Sequence, residues 1–312
     1  MILSVSRRTD IPAFYSGWFF NRIKAGFVYV RNPMNPHQIS SVRLSPEVVD
    51  CIVFWTKNPE NMLSRLDDLA GYAYYFQFTL TPYGQDLELL PGRQKEHLIS
   101  VFRRLSEKIG RERVIWRYDP IIFTPEYTAP VHLHRFEQMA KALEGCTDKC
   151  VISCVDMYAK IRKNVERLGI YAPSRNELLS FARELAGIAG EHHMAMATCA
   201  EATDLKSCGI SHNCCIDKAL IERLTGCTLS VTKDKNQRPQ CGCAPSIDIG
   251  TYNTCLNGCR YCYANFSQES VLKNHRQYDP DAPLLCGTVR EGDQVKEREV
   301  KVMREGQMRL RL

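Results

Sequence analysis

A chain of 312 residues with 44% hydrophobic content is long enough to build one large core, either a single barrel or two modest domains. No apolar run approaches the length of a membrane helix, and the opening MILSVSRRTD lacks the apolar core and cleavage site of an export signal, so a cytoplasmic protein is expected. The formal charge of +6 permits a nucleic-acid or phosphorylated partner without requiring one, and 15 cysteines, an odd number in a long chain, read as thiols and metal ligands rather than disulfides.

Short β-branched or aromatic runs alternate with amphipathic stretches, the pattern of βα units on a parallel sheet. ILSVS is the first strand and ends in Arg7, Arg8, Thr9 and Asp10; Pro12 then suits a first helical turn, and Gly26 a stop. CIVFW is an apolar run suited to a strand buried on both faces, followed by Thr56, Lys57 and the cap-like pair Asn58-Pro59, with a helix closing at Gly71. AYYFQFTLT is the third strand, and Glu96 to Ile109 repeats apolar residues at helical spacing. RVIWRYDPII is the fourth strand and carries Arg117 and Asp119 near its end; CVISCVDMY is the fifth, ending in Asp156. Ser174 with Glu177 forms a capping-box pair at a helix start, HMAMATCAE is the sixth strand with Cys199 and Glu201 at its end, and SIDIGTY is a short seventh. His132-x-His134 and His192-His193 read as surface or capping residues.

Each strand ends in polar residues, and parallel strands bring such ends to one rim, where barrels keep their active sites. The expected fold is therefore α/β: one (β/α) barrel, TIM-barrel-like and partial or full, over residues 1–285, of roughly six to eight strands. The tail, 286–312, alternates apolar and charged residues and reads as a short antiparallel β meander packed on the barrel.

The seventh strand leads into a cysteine-rich stretch within 241–266, where Cys255, Cys259 and Cys262 are spaced C-x-x-x-C-x-x-C. Three thiolates on a tight loop can bind three irons of a cubane cluster and leave the fourth open to a small ligand. A zinc knuckle is the competing reading, but Asn257, Arg260 and Asn265 do not complete a four-ligand set.

The segment SIDIGTYNTCLNGCRYCYANF resembles the cluster loop of radical S-adenosylmethionine (SAM) enzymes, in which an aromatic precedes the last cysteine, as Tyr261 does. The resemblance implies a 4Fe-4S cluster whose open iron is chelated by SAM, with Tyr261 near the adenine. It also implies a flavodoxin or ferredoxin as electron donor, and cleavage of SAM to start hydrogen abstraction. In most such enzymes this loop follows the first barrel strand; its late position here implies a circularly permuted barrel. The whole chain resembles a bacterial domain-of-unknown-function family, number 1848, with a radical-SAM-like cluster loop near its C-terminal end and no established substrate. WRYDPI together with CRYCYAN is similar to the spore photoproduct lyase branch, which makes nucleic acid a candidate substrate.

A second group, Cys199, Cys208, Cys214, Cys215, Cys241 and Cys243, offers a second iron-sulfur or zinc site. Cys241-Gly-Cys243 supplies two ligands from one turn, and Cys199 with Cys215, preferred over Cys214, two more; buried apolar thiols are the plain alternative. Cys51, Cys150 and Cys154 read as core thiols. Arg7 and Arg8 are candidates for binding SAM, and Lys57, Arg117, Asp119 and Glu201 are catalytic candidates, with Asp156 a further rim residue for SAM or substrate. Lys57 and Arg117 rank first because each leaves an apolar run containing a tryptophan with a charge that needs a partner. The function expected is a radical SAM-type enzyme, and the alternative a non-catalytic zinc or iron-sulfur module that binds nucleic acid or protein.

Overall fold

The computed structural model describes residues 1–89, 95–155 and 166–308. Strand β1 (Ile2–Val5) runs into α1 (Ile11–Phe14) and α2 (Ser16–Ala25), and a hairpin of β2 (Phe27–Arg31) and β3 (Gln38–Arg43) precedes β4 (Cys51–Thr56). A 3-10 helix, Glu60–Leu69, leads to β5 (Tyr74–Thr79), α3 (Lys95–Ile109), β6 (Val114–Ile121), α4 (Ala129–Leu143) and β7 (Lys149–Cys154). Then come α5 (Arg175–Glu191), β8 (Ala195–Thr198), β9 (Ser211–His212), α6 (Lys218–Thr225), β10 (Cys227–Leu229) and β11 (Ile247–Asp248). Helix α7 (Gln268–His275), β12 (Gln294–Glu297) and β13 (Arg304–Met308) complete the order.

Eight strands form one parallel sheet in the order β11-β1-β4-β5-β6-β7-β8-β9. The molecule is a mixed α/β fold with helices flanking that sheet. Both faces are covered, which explains the unbroken apolar runs of its strands. Ile52 and Phe54 of β4 join the large core with Phe19 of α2 and Phe102 of α3. Cys51 and Val53 point the other way, into a second core with Tyr75, Cys215, Ile216, Leu220 and Ile221. Strands β9 and β11 stand at the two ends of the order, and among the described residues no strand pairing joins them.

Several expectations are met closely. Gly26 ends α2 in the left-handed region at φ 78°, and α5 starts at the Ser174–Glu177 capping box. Others are corrected. The tail strands do not pair with each other: β12 adds in parallel to β3, while β13 pairs antiparallel with β10. Charge pairing directs each half. Asp293 bonds Arg31 of β2 at 2.8 Å, and Arg304 bonds the buried Asp50 at 2.9 Å. The stretch after Pro59 winds as a 3-10 helix instead of an α-helix. His132 is neither a surface nor a capping residue but is fully buried on α4; Tyr118 Oη lies 2.8 Å from its Nδ1, and its Nε2 is 3.0 Å from the Ile122 carbonyl. Burial lowers its pKa, so it is a neutral packing group among Tyr83, Phe123 and Phe181.

Candidate functional site

The cysteine loop leaves β11 and docks across the carboxyl ends of β1, β4 and β5. Ile249 N–H donates to the Ser4 carbonyl at 3.1 Å, and Arg260 N–H to the Leu87 carbonyl at 2.9 Å, beside an antiparallel bridge between Glu88 and Cys259. Asn257 Nδ2 donates to Asp10 at 2.9 Å, and Tyr263 Oη to the Arg7 carbonyl at 2.7 Å. Gly258 is required twice over. Its φ is +66°, and a Cβ there would lie 2.7 Å from Leu89 Cβ.

Cys255, Cys259 and Cys262 thereby share one small region. Burial pushes the Cys255 thiol up to about 12, with Asp10 and Cys262 adding to the shift, and raises Cys259 and Cys262 as well. Asn257 Nδ2 lies 3.5 Å from Cys255 Sγ, and Ala264 N–H donates to Cys262 Sγ at 3.3 Å, so donors already face two of the sulfurs. Among the described residues, no group of three or more His, Cys, Asp or Glu side chains is arranged, as it stands, to hold a metal ion. A four-iron cluster is wider than an ion, and its ligand sulfurs sit on separate corners. Cys255, Cys259 and Cys262 are the residues of this loop that would hold such a cluster.

Under the loop lies a buried polar group around Glu88. Lys57 Nζ is 2.7 Å from Glu88 Oε1 and 3.2 Å from Tyr261 Oη; Thr81 Oγ1 donates to the same carboxylate at 2.6 Å, and Tyr261 Oη donates to it too. Burial alone would raise the Glu88 carboxyl, but Lys57 and Lys95 outweigh it and hold it down at about 2. Burial likewise opposes the charge of Lys57, and Glu88 and Cys259 overcome it, so its pKa is raised. Asp10, fully buried, is raised by desolvation despite donors from Lys57 N–H and Asn257.

Arg7 and Arg8 sit where β1 meets the loop. Arg7 Nη2 bonds Ser246 Oγ at 3.0 Å and its guanidinium lies over Trp55; Arg8 lies over Tyr252. Trp55 has a second cation, Arg117, on its ring, 5.2 Å from the centroid. Arg117 pairs with Asp119, which also accepts from Ser153 Oγ. Arg117 Nη1 reaches Cys215 Sγ at 2.9 Å, and Cys215 Sγ is 3.1 Å from Cys199 Sγ. Ile216 N–H donates to Cys243 Sγ at 3.3 Å, and Cys241 and Cys243 pack in the same core as Cys215.

Two assemblies therefore emerge from the expected residues. One joins Cys255, Cys259, Cys262 and Tyr261 to Lys57; the other joins Cys199, Cys215, Cys241 and Cys243 to Arg117 and Asp119, and Arg7 and Arg8 lie at the base of the cysteine loop, on Trp55 and Tyr252. Glu201 belongs to neither: its oxygens accept from the backbone N–H groups of Cys154, Ala202 and Thr203. Cys208 is separated from its group and packs against α5, its sulfur 3.5 Å from the Leu179 carbonyl. Cys51 and Cys150 are core thiols, as expected, while Cys154 is half-buried. Asp156 lies outside the described residues. Glu88 was not anticipated, because it sits in a turn-rich stretch, PYGQDLELLPG, with no periodic pattern to mark it.

The model of the family described as Domain of unknown function (DUF1848) matches residues 2–264, from β1 to just past Cys262. The chain belongs to the DUF1848 family. No curated protein and no solved structure gave a match. In this DUF1848 chain no helix among the described residues is long and apolar enough to cross a membrane.

Proposed function

We propose that this DUF1848 protein is an enzyme of the radical SAM type, in which Cys255, Cys259 and Cys262 hold a four-iron four-sulfur cluster and leave one iron to SAM. The observation that carries this reading is the set of three half-buried thiols on one loop docked at the carboxyl ends of parallel strands. Once bound and reduced by a flavodoxin or ferredoxin, the cluster would supply the electron that splits SAM into methionine and a deoxyadenosyl radical, which takes hydrogen from the substrate. Lys57, fixed by Glu88, places a positive charge beside Cys259. Arg7 and Arg8 are suited to the SAM carboxylate, and Tyr261, packed edge-on against the buried Tyr83, shields the region from water. Asp119, with Ser153 and Arg117, provides polar groups for a substrate; Glu201 holds its own turn.

Strand order supports a permuted, partial or full (β/α) barrel. Taking β11 as the first strand gives β11-β1-β4-β5-β6-β7-β8-β9 in spatial order, and the cysteine loop then follows the first strand as in radical SAM enzymes. A nucleic-acid substrate would bring salt-sensitive DNA or RNA binding. Anaerobic reconstitution with iron and sulfide tests the cluster: about four irons per chain are expected at this loop, lost in Cys259→Ala. A Cys259→Ala protein that still cleaved SAM would sink the assignment. Zinc in place of iron would favour a non-catalytic module that binds nucleic acid or protein.

A further inference from the structure

We propose that Cys199, Cys215, Cys241 and Cys243 form a second, closed metal site that takes a single tetrahedral ion, zinc, through four thiolates. The four come from three different connections: the end of β8, the turn after β9, and the segment between β10 and β11. They meet in one cluster. Cys199 Sγ lies 3.1 Å from Cys215 Sγ, Ile216, the residue after Cys215, donates its N–H to Cys243 Sγ at 3.3 Å, and all four cysteines pack in the second core. Three are shut off from solvent, at 2% exposure for Cys215, 3% for Cys243 and 7% for Cys241. A site so enclosed suits a structural ion, which needs no open position.

Isolated buried thiols need only apolar surroundings, but this group is surrounded by donors aimed at sulfur. Arg117 Nη1 is 2.9 Å from Cys215 Sγ, Asn213 Nδ2 is 3.8 Å from the same atom, and Ile216 N–H donates to Cys243 Sγ at 3.3 Å. Such donors stabilise thiolates that carry the excess negative charge of a four-sulfur metal site. The backbone is fixed as well, since Tyr75 Oη and Gln77 Nε2 of β5 both bond the Cys215 carbonyl, at 2.6 and 2.9 Å. Gly242, between two of the ligands, is closely packed: a Cβ there would lie 2.6 Å from Cys214 Sγ, so that side chain would have to shift.

Cys199 and Cys215 stand too close together for an ion between them as they are. With Zn–S bonds of about 2.3 Å, tetrahedral ligand sulfurs lie about 3.8 Å apart. Cys199 and Cys215, at 3.1 Å, must therefore spread by roughly 0.7 Å on loading, a side-chain adjustment. An iron-sulfur cluster would require wider separations, and the close packing favours the single ion. The site is independent of the chemistry at Cys255, Cys259 and Cys262.

The test uses the full chain with those three cysteines changed to alanine, purified without added metal, so that any bound ion reports on the second group. Metal analysis should find about one zinc per chain. Cys241→Ser/Cys243→Ser should lower this at least tenfold, while Cys214→Ser, outside the ligand set, keeps it. Should the double variant fail to fold, cobalt substitution of its parent decides, because a tetrathiolate gives visible bands of tetrahedral cobalt with sulfur charge transfer. Absence of both zinc and these cobalt bands would overturn the proposal, as would an iron-sulfide chromophore that depends on Cys241 and Cys243.

Discussion

Glu88 anchors the polar group beneath the cysteine loop, since one of its oxygens accepts from Lys57, Thr81 and Tyr261 while almost no solvent reaches it. Its folded pKa of about 2 lies below the ordinary 4.5, so the stabilisation is full above about 4.5 and is lost as pH falls through about 2. The raised pKa of Lys57 has the opposite sign: its contribution holds below its ordinary 10.5 and fades as pH rises through the higher folded value. Glu88→Gln leaves Lys57 buried without its counter-charge, and breaking such a pair costs about 3–5 kcal/mol. Chemical denaturation at neutral pH should show that loss, with part of it recovered in Lys57→Met/Glu88→Gln and a smaller difference from wild type near pH 2. Equal stability of Glu88→Gln and wild type at neutral pH would contradict the pairing. Lys57 was legible because a charge leaving an apolar run needs a partner. Its partner was not, because 31 residues separate the two and only the docked loop brings them together.

At the scale of elements, the cysteine loop depends on a backbone conformation that spacing alone does not reveal. The trio was legible from C-x-x-x-C-x-x-C; the function of Gly258 was not, since it follows from the approach of Leu89. Gly258→Ala forces a left-handed φ on a residue with a Cβ, at about 1–2 kcal/mol, and adds a collision with Leu89. The expected outcome is a folded protein that loses iron from the loop faster than wild type during anaerobic dialysis; unchanged retention would show that the loop tolerates undocking. The capping box of α5 was legible in full, because both partners lie within four consecutive residues. The tail was misassigned for the converse reason. Alternation marks a strand but does not name its partner, and the choice fell to Asp293 with Arg31 and to Asp50 with Arg304.

At the scale of the molecule, the parallel sheet was legible because strands covered on both faces must be apolar throughout, as CIVFW is. Strand β9, two residues long, carries no pattern, and β2 with β3 lies outside the main sheet, so neither could be read in advance. The joining of the chain's late strand β11 to its first strand β1 is the long-range fact on which the functional reading rests, because it sets the cysteine loop over the carboxyl ends of the sheet. The second thiol group lies on the sheet face that also carries Trp55 and Arg117, and this face would then hold a catalytic cluster at its rim and a structural ion within its core. The most direct measurement is anaerobic. The protein is reconstituted with iron and sulfide, reduced in the presence of SAM without substrate, and assayed for deoxyadenosine. Radical SAM chemistry predicts deoxyadenosine above a control in which Cys255, Cys259 and Cys262 are all alanine. Equal, background-level product in both, from a protein that holds zinc and takes up no cluster, would contradict it.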